Sequence, residues 1–332
     1  MKKIIMLAVC LTALTVLNSS AKIWRVNSAG LPADFTTIQA AHDAASVAAG
    51  DTLHLEPSVV SYGELVSTKK LVVIGPGYFL NENSGQQANP TTATIGSLTL
   101  NPGCSGTIIS GLTITGEINI STGNITISRN NITGKNIKLS RDYNYSDIII
   151  SGNYDIGSIA YSYFTSTTLI TNVFVVNNVM TTCDLTNQYS GTMANNIIAS
   201  SNLKISNFII KNNIGRDPQW QAVFNGVNNT ISNNICAAVG GLPAGNGNQS
   251  GVDLSTVFVG ATGNSTDGQW QLKTGSPAIG AGLNGEDCGI FGGASPYHLS
   301  GVPKTPSIYL LSAPASSNGN TLSVTISVKT NN

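Results

Sequence analysis

The chain has 332 residues, of which 41% are hydrophobic and only 10% are charged, against a usual charged share of about 25%. Sixteen basic side chains balance sixteen acidic ones, so the chain has no net charge that would attract nucleic acid or an anionic membrane. Leu, Ile and Val are frequent, so the composition is not that of a disordered chain. The polar surface must come mainly from Asn, Ser, Thr and Gly.

The first residues have the pattern of a secretory signal. Lys2 and Lys3 form a positive start, residues 4–17 are apolar, and Ser19, Ser20 and Ala21 suit a cleavage site. We expect cleavage after Ala21. A lipid anchor at Cys10 is the less favoured alternative, because Val9 precedes it where a small residue is needed. No second apolar segment follows, so we expect no transmembrane segment and a secreted protein that is extracellular, on the outer surface or periplasmic.

A short motif recurs through the middle of the chain. Asn-Asn followed by an aliphatic residue begins at Asn130, Asn177, Asn195, Asn212 and Asn233, and Asn153-Tyr154 is a degenerate copy. Short β-branched runs separate the copies, and they suit strands better than helices. Strands repeating about every 20 residues indicate either a β-solenoid or an antiparallel sandwich or barrel. Sparse hairpin turns favour the solenoid.

The Asn pairs have a mechanical role in such a fold. Each coil must bend sharply between sheets, and Asn tolerates the left-handed backbone that a bend needs. An inward Asn can also bond to the Asn of the next coil, forming a ladder. We expect the aliphatic residue after each pair to re-enter the core, and we expect Arg129, before the first pair, to be a solvated charge.

The two ends of the chain break the repeat. Thr36 and Gln39 form a capping box for a helix that Gly50 can close, and such a helix can cover an exposed strand edge. Beyond Pro303, two apolar runs separated by Ser, Asn and Gly predict a hairpin, either a cap or an attachment signal. The predicted organisation is a signal peptide (1–21), an N-terminal strand and capping helix (22–50), the β-helix (51–302) and a C-terminal β tail (303–332).

Several segments resemble a known family. DFTTIQAAHDAASVAAGDTLHL followed by YGELVSTKKLVVIGPG resembles the opening of pectin-lyase-like proteins, and DGQWQLKTGSPAIGAG resembles the closing coil of secreted β-helix proteins. EDCGIFGGASPYHLSGVPKTPSIY is similar to the C-terminal region of uncharacterised exported β-helix proteins of Bacteroidetes-type bacteria. The resemblance implies an all-β, single-stranded, right-handed parallel β-helix. This fold hosts lyases, hydrolases, esterases, adhesins and non-catalytic shells, so it implies no single activity.

The predicted coil length bears on the cysteines. At roughly 22 residues per coil the solenoid would have about 11 coils, each adding about 4.8 Å. Cys104, Cys183, Cys236 and Cys288 would then lie two or more coils apart, beyond the reach of about 7 Å that a disulfide needs. We expect buried free thiols.

Catalytic sets of the resembled enzymes are incomplete in this chain. It has no Asp-Asp pair with a Gly-His-Gly, and its three histidines are scattered. The alternative to a non-catalytic protein is a calcium-assisted polysaccharide lyase acting on uronate polymers. Lys138 or Arg141 would be the base or a clamp for the substrate carboxylate, and Asp142 and Asp147 would be the cation ligands. These residues lie within 135–155, and an ordinary solvated turn with ion pairs is the other explanation for the charged residues there. No cofactor is expected otherwise.

Aromatic residues suggest a sugar-binding strip. Tyr143 and Tyr145 recur as Tyr161 and Tyr163, and each pair would point to one face of a strand; a merely structural ladder is the alternative. Trp220, flanked by Gln, also suits carbohydrate. We therefore expect a monomeric, non-catalytic envelope or extracellular protein that binds extended polysaccharide or a cell-surface glycan, or mediates surface contacts.

Overall fold

A computed structural model describes residues 21–140, 142–161, 168–186, 188–200, 203–219, 226–316 and 321–331. They form a parallel β-solenoid of about eight turns with very little helix, which confirms the predicted fold class. The expected 11 coils are too many. The last solenoid strand ends at Ser250, and the residues that follow run along the outside of the rod instead of adding coils.

The strands are short and follow one another around the rod. In chain order they are β1 (Ile23–Val26), β2 (Thr52–Leu55), β3 (Leu65–Ser67), β4 (Val72–Ile74), β5 (Thr94–Ile95), β6 (Leu98–Leu100), β7 (Ile108–Ser110), β8 (Thr113–Ile114), β9 (Ile118–Ile120), β10 (Ile125–Ser128), β11 (Asn136–Leu139), β12 (Tyr145–Ser151), β13 (Ile156–Tyr161), β14 (Ile170–Val176), β15 (Val179–Leu185), β16 (Tyr189–Ala194), β17 (Ile197–Ile198), β18 (Lys204–Ile205), β19 (Phe208–Lys211), β20 (Ile214–Gly215), β21 (Thr230–Ser232), β22 (Ile235–Cys236), β23 (Gln249–Ser250), β24 (Ser307–Ser312) and β25 (Thr325–Lys329).

These strands form two long sheets. The first sheet has ten strands in the order β1-β2-β4-β7-β10-β12-β14-β16-β19-β21. The second has eleven, β23-β22-β20-β17-β15-β13-β11-β9-β6-β3 with β18 beside β15. Strands β5 and β8 form a short third sheet, and β24 with β25 forms an antiparallel hairpin. The helices within the described ranges are α1 (Ile38–Asp43) and four single 3₁₀ turns, Leu254–Thr256, Gly268–Trp270, Leu283–Gly285 and Leu299–Gly301.

The solenoid interior is filled by alternate residues of the β-branched runs. In β12, Ile148 and Ile150 are buried and Ile149 between them is exposed. In β14, Val173 and Val175 are buried and Phe174 is exposed. Because side chains alternate across a strand, every second residue enters the core and the others form the outer face.

The predicted Asn ladder is present. It runs through the second residue of the pairs that begin at Asn177, Asn195, Asn212 and Asn233, but through the first residue, Asn130 and Asn153, of the two earlier copies. Each rung's backbone N–H and Nδ2 donate to Oδ1 of the next rung; at Asn178 and Asn196 these distances are 2.9 and 3.1 Å. The rungs are Asn130, Asn153, Asn178, Asn196, Asn213, Asn234 and Asn248. The amides are therefore satisfied along the axis, as buried polar groups require.

The residue before each rung makes the bend with a left-handed backbone. This corner column contains Gly111, Arg129, Gly152, Asn177, Asn195, Asn212, Asn233 and Gly247. The structural equivalent of Asn177-Asn178 is thus Arg129-Asn130, not Asn130-Asn131 as the sequence suggested. Arg129 is a corner residue with φ of 54°, and it is buried, so its prediction as a solvated charge is wrong.

The N-terminal edge of the second sheet is capped by α1. The helix is shorter than predicted: Thr37 is the N-cap and the helix ends at Asp43, with Ala44 as C-cap. Gln39 Oε1 accepts from Val66 N–H at 2.8 Å, and His42 Nε2 accepts from Thr68 N–H at 3.2 Å. These side chains satisfy backbone groups of β3, the edge strand, and of Thr68 directly after it, and so perform the predicted capping.

Residues 278–303, the C-terminal strap, run back along the corner column toward the first coils. Each corner Asn bonds to it through its side chain; Asn177 Nδ2, for example, donates to the oxygens of Ile290 and Gly292, both at 2.8 Å. The other contacts join Asn233 to Ala281, Asn212 to Leu283 and Glu286, and Asn195 to Asp287. The corner Asn residues therefore serve both the bend and the strap.

A second hydrophobic cluster lies between the strap and the coils. Its members include Ile197, Ile214 and Ile235, which follow Asn pairs, together with Cys288 and Ile290 of the strap. The expectation that these aliphatic residues re-enter the solenoid core is corrected accordingly. They pack under the strap, while the next residue, such as Ile198, enters the interior.

The remaining predictions concern the tail and the thiols. The predicted C-terminal hairpin is formed by β24 and β25. Cys104, Cys183, Cys236 and Cys288 are buried free thiols, in agreement with their predicted spacing. Burial raises the pKa of Cys288 to about 12, with the nearby Asp287 and Glu286 adding to the effect. Within the described ranges, no helix has the length and apolar character needed to cross a membrane. The predicted signal peptide lies almost wholly in residues 1–20, outside these ranges.

Candidate functional site

The outer face of the first sheet carries a continuous column of uncharged side chains, which we call the outer stripe. Paired residues of adjacent strands place them in line: Thr52, Val72, Ile108, Thr126, Ile149, Phe174, Thr192, Ile209 and Thr230. The stripe combines apolar and hydroxyl-bearing residues and is exposed in its middle, where Ile149 is 38% and Phe174 39% exposed. With strands about 4.8 Å apart, it is roughly 40 Å long.

A cleft of about 380 Å³ lies between one part of this face and the strap region, and we call it the strap cleft. Its floor includes Val72 and Ile108 of the outer stripe. Its other wall includes His298 and Lys304, and Arg129 lies at the corner. A concave site with an apolar floor and a few polar groups is the usual form of a small-ligand site.

The residues predicted for a lyase are distributed over two sheets. Lys138 lies on β11 of the second sheet and pairs with Glu117, with Nζ 2.8 Å from Oε2. Asp147 lies on β12 of the first sheet, and Asn172 Nδ2 donates to its Oδ1 at 3.1 Å. Bonds from Ser146 and Asn172 lower the pKa of Asp147. Asp142, in the exposed turn before β12, accepts from Ser140.

The lyase hypothesis thus stays a prediction. Arg141 lies outside the described residues. In the part of the chain that the structure describes, no group of three or more His, Cys, Asp or Glu side chains is arranged to hold a metal ion. A calcium role for Asp142 and Asp147 stays a prediction.

The tyrosine strip predicted for sugar binding has a different arrangement. Tyr145 aligns with Ile170 in the first sheet, whereas Tyr161 aligns with Leu139 in the second. The expected alignment of the two tyrosines one coil apart is therefore wrong. The Tyr145 hydroxyl donates to the oxygen of Ser140 at 2.8 Å, and burial raises its pKa. Tyr143 is 54% exposed, so a role in binding remains a prediction. Tyr163 and Trp220 lie outside the described residues.

Sequence reasoning missed the strap cleft. Arg129 was expected to be a solvated charge and the scattered histidines suggested no site, yet Arg129 and His298 both line the cleft. One sequence signal was present: Arg129 immediately precedes Asn130 at the start of the repeat, where other coils have Gly or Asn once the correct register is used. The sequence of the strap has no repeat pattern from which its position on the coils could be predicted.

Comparison with known proteins adds no assignment, since no family model, curated protein or solved structure matches the chain. The parallel β-solenoid stands on the structure alone. The resemblance to pectin-lyase-like proteins stays an expectation.

Proposed function

We propose that this protein is a surface or extracellular β-solenoid that binds an extended polysaccharide along the outer stripe, without cleaving it. The observation that carries this proposal is the unbroken register of the stripe, in which each strand adds one Thr or apolar side chain. The strand spacing of about 4.8 Å is close to the length of one sugar unit in an extended chain.

The chemistry of the stripe also supports a sugar ligand. Sugar rings have apolar faces and hydroxyl edges, which Phe174 and Ile149 on one hand and Thr126 and Thr192 on the other can contact. The absence of charge in the stripe suits a neutral ligand surface. The predicted secretory signal and the resemblance to secreted β-helix proteins agree with a location outside the cytoplasm.

The test is binding of the mature chain to a panel of soluble and insoluble polysaccharides. Phe174→Ala and Ile209→Ala should each weaken binding to any polysaccharide of the panel that the unaltered protein binds, by about tenfold. Val66→Ala is the matched control, because Val66 is an exposed apolar residue (48%) on the second sheet. Reaction products should not accumulate with any glycan that binds.

Two outcomes would contradict the proposal. One is an equal loss of binding in the Val66→Ala control. The other is unsaturated product formed from a uronate polymer and abolished by Lys138→Ala, which would establish the lyase alternative instead.

A further inference from the structure

Among the residues that the structure describes, the buried cation Arg129 has no carboxylate partner. The residue is 9% exposed, and Nη1 donates to the oxygens of Val302 at 2.7 Å and Asn331 at 3.4 Å. None of the ion pairs within 4.0 Å found among the described residues includes Arg129. Burying a charge without a counter-charge is costly. A guanidinium in this state beside an open cleft indicates that an anion completes the site.

The other ionisable groups that line the cleft are basic. Lys304 is exposed at its edge, and His298 is partly buried. No Asp or Glu is present among the described residues that line the cleft. Burial lowers the pKa of His298, which favours the neutral ring, and Nδ1 lies 3.0 Å from the oxygen of Leu299. With Nδ1–H donating to that oxygen, Nε2 is left as an acceptor for a ligand hydroxyl.

Three serines supply polar groups on the cleft floor. Ser110, Ser128 and Ser151 occupy paired positions on β7, β10 and β12, one coil apart. Among the described residues, none of their hydroxyls has a hydrogen-bond partner in the protein. Together with apolar Val72 and Ile108, they form a floor of the kind that can contact both the hydroxyls and the apolar face of a sugar ring.

The geometry points to the strap cleft as a subsite for one acidic sugar residue, whose carboxylate or sulfate group binds Arg129 and Lys304. Arg suits this task because its planar donors match the oxygens of such groups. The inference rests on the proposed function, because Val72 and Ile108 of the outer stripe form part of the floor of the cleft. It adds a preference for polysaccharides that carry anionic groups.

The test is calorimetric titration of the mature chain with three matched oligosaccharides: a neutral galactan, a galacturonan and a sulfated galactan. The two acidic arms distinguish a carboxylate from a sulfate ligand. At least one should bind at least tenfold more tightly than the neutral one, and higher salt should reduce that preference. Arg129→Gln should weaken acidic binding about tenfold and Lys304→Gln about threefold. Lys135 is an exposed basic residue outside the cleft, so Lys135→Gln should leave the affinity for acidic oligosaccharides unchanged.

Lys304→Gln keeps the test decisive if Arg129→Gln releases the strap or fails to fold. Equal affinity for all three oligosaccharides, with no effect of Lys304→Gln, would overturn the inference. Binding of the neutral galactan that depends on Phe174 would still support the outer stripe as a polysaccharide-binding surface. The two proposals can therefore fail separately. An equal effect of Lys135→Gln would show a general charge effect and would also overturn the subsite.

Discussion

The side-chain amide of Asn195 donates to the backbone oxygen of Asp287 at 3.0 Å, although 92 residues separate them in the chain. Its neighbour Asn196 points the other way and bonds to Asn178 and Asn213 inside the coil. Two adjacent asparagines thus hold different parts of the protein, which explains why the pair recurs.

Loss of a ladder rung should destabilise the whole solenoid. Asn196→Ala removes the acceptor for Asn178 N–H and Nδ2 and the donor to the oxygen of Val175. Unsatisfied buried groups cost about 1–3 kcal/mol each, so we expect a loss of about 3 kcal/mol in the free energy of unfolding. Urea unfolding followed by circular dichroism measures it. A loss below about 0.5 kcal/mol, typical of a surface site, would contradict the ladder's role.

Loss of a corner asparagine should act on the strap. Asn195→Gly keeps the left-handed backbone without strain and removes only the bonds to the strap, so we expect a cost of about 1 kcal/mol. Asn195→Ala should cost about 1–2 kcal/mol more, because Ala is strained at φ of 57°. Limited proteolysis should cut both variants within residues 278–303 faster than the unaltered protein. Unchanged cleavage there would show that Asn195 does not hold the strap.

The capping helix should protect the edge of the second sheet. Gln39→Ala leaves the N–H and oxygen of Val66 without their side-chain partners, so we expect a loss of about 1–2 kcal/mol and a tendency to associate through β3. Light scattering after incubation, together with thermal unfolding, measures both effects. Gln271→Ala, an exposed Gln far along the chain, is the control. Equal behaviour of the two variants would exclude the capping role.

Asp51 should bind the mature N-terminus if the precursor is cut after Ala21. Lys22 N lies 2.8 Å from Asp51 Oδ1, and Trp24 Nε1 lies 2.7 Å from Oδ2. A chain that begins at Lys22 has an ammonium at this position, whereas one that begins at Ala21 has an amide. We expect the first chain to be about 1–2 kcal/mol more stable, because bonds between charged groups are stronger. The difference should disappear in Asp51→Asn; a difference that persists would contradict the pairing.

The same carboxylate predicts an acid-sensitive contribution to stability. Burial alone would raise the pKa of Asp51, but hydrogen bonds from Lys22, Trp24 and Ala48 outweigh it and lower the pKa below 3.8. A folded-state pKa below the unfolded value stabilises the protein above about pH 4, and this stabilisation is lost as the pH falls through the folded pKa. Unfolding free energies measured from pH 6 to pH 2 should fall less steeply for Asp51→Asn. Parallel curves for the two proteins would contradict this assignment.

The fold could be predicted from the sequence because a coil is a local unit. Runs such as Ile148–Ile150 specify strands, and the recurring Asn pairs specify where each coil bends. The register at Asn130 could not be predicted, because the adjacent Asn131 imitates the pair seen in other coils. Only the bonds of Asn130 to Asn153 and Leu112 show which residue is the rung.

The strap cleft could not be predicted for a different reason. Its walls come from residues far apart in the chain, as the 173-residue separation of Arg129 and Val302 illustrates. The strap has no periodicity that would reveal which coils it crosses. Its path is specified by individual contacts, such as that of Gly111 with Pro303, where an added Cβ would lie 2.4 Å from the proline ring.

The strap also limits how the length of the rod can evolve. In an open solenoid, duplication of one repeat lengthens the protein and leaves the other coils undisturbed. Here a new coil beneath the strap would move its two anchoring ends apart by about 4.8 Å. One or two residues of extended chain, at about 3.3 Å each, would have to be inserted in the strap at the same time. Coil number and strap length should therefore change together among descendants of this chain.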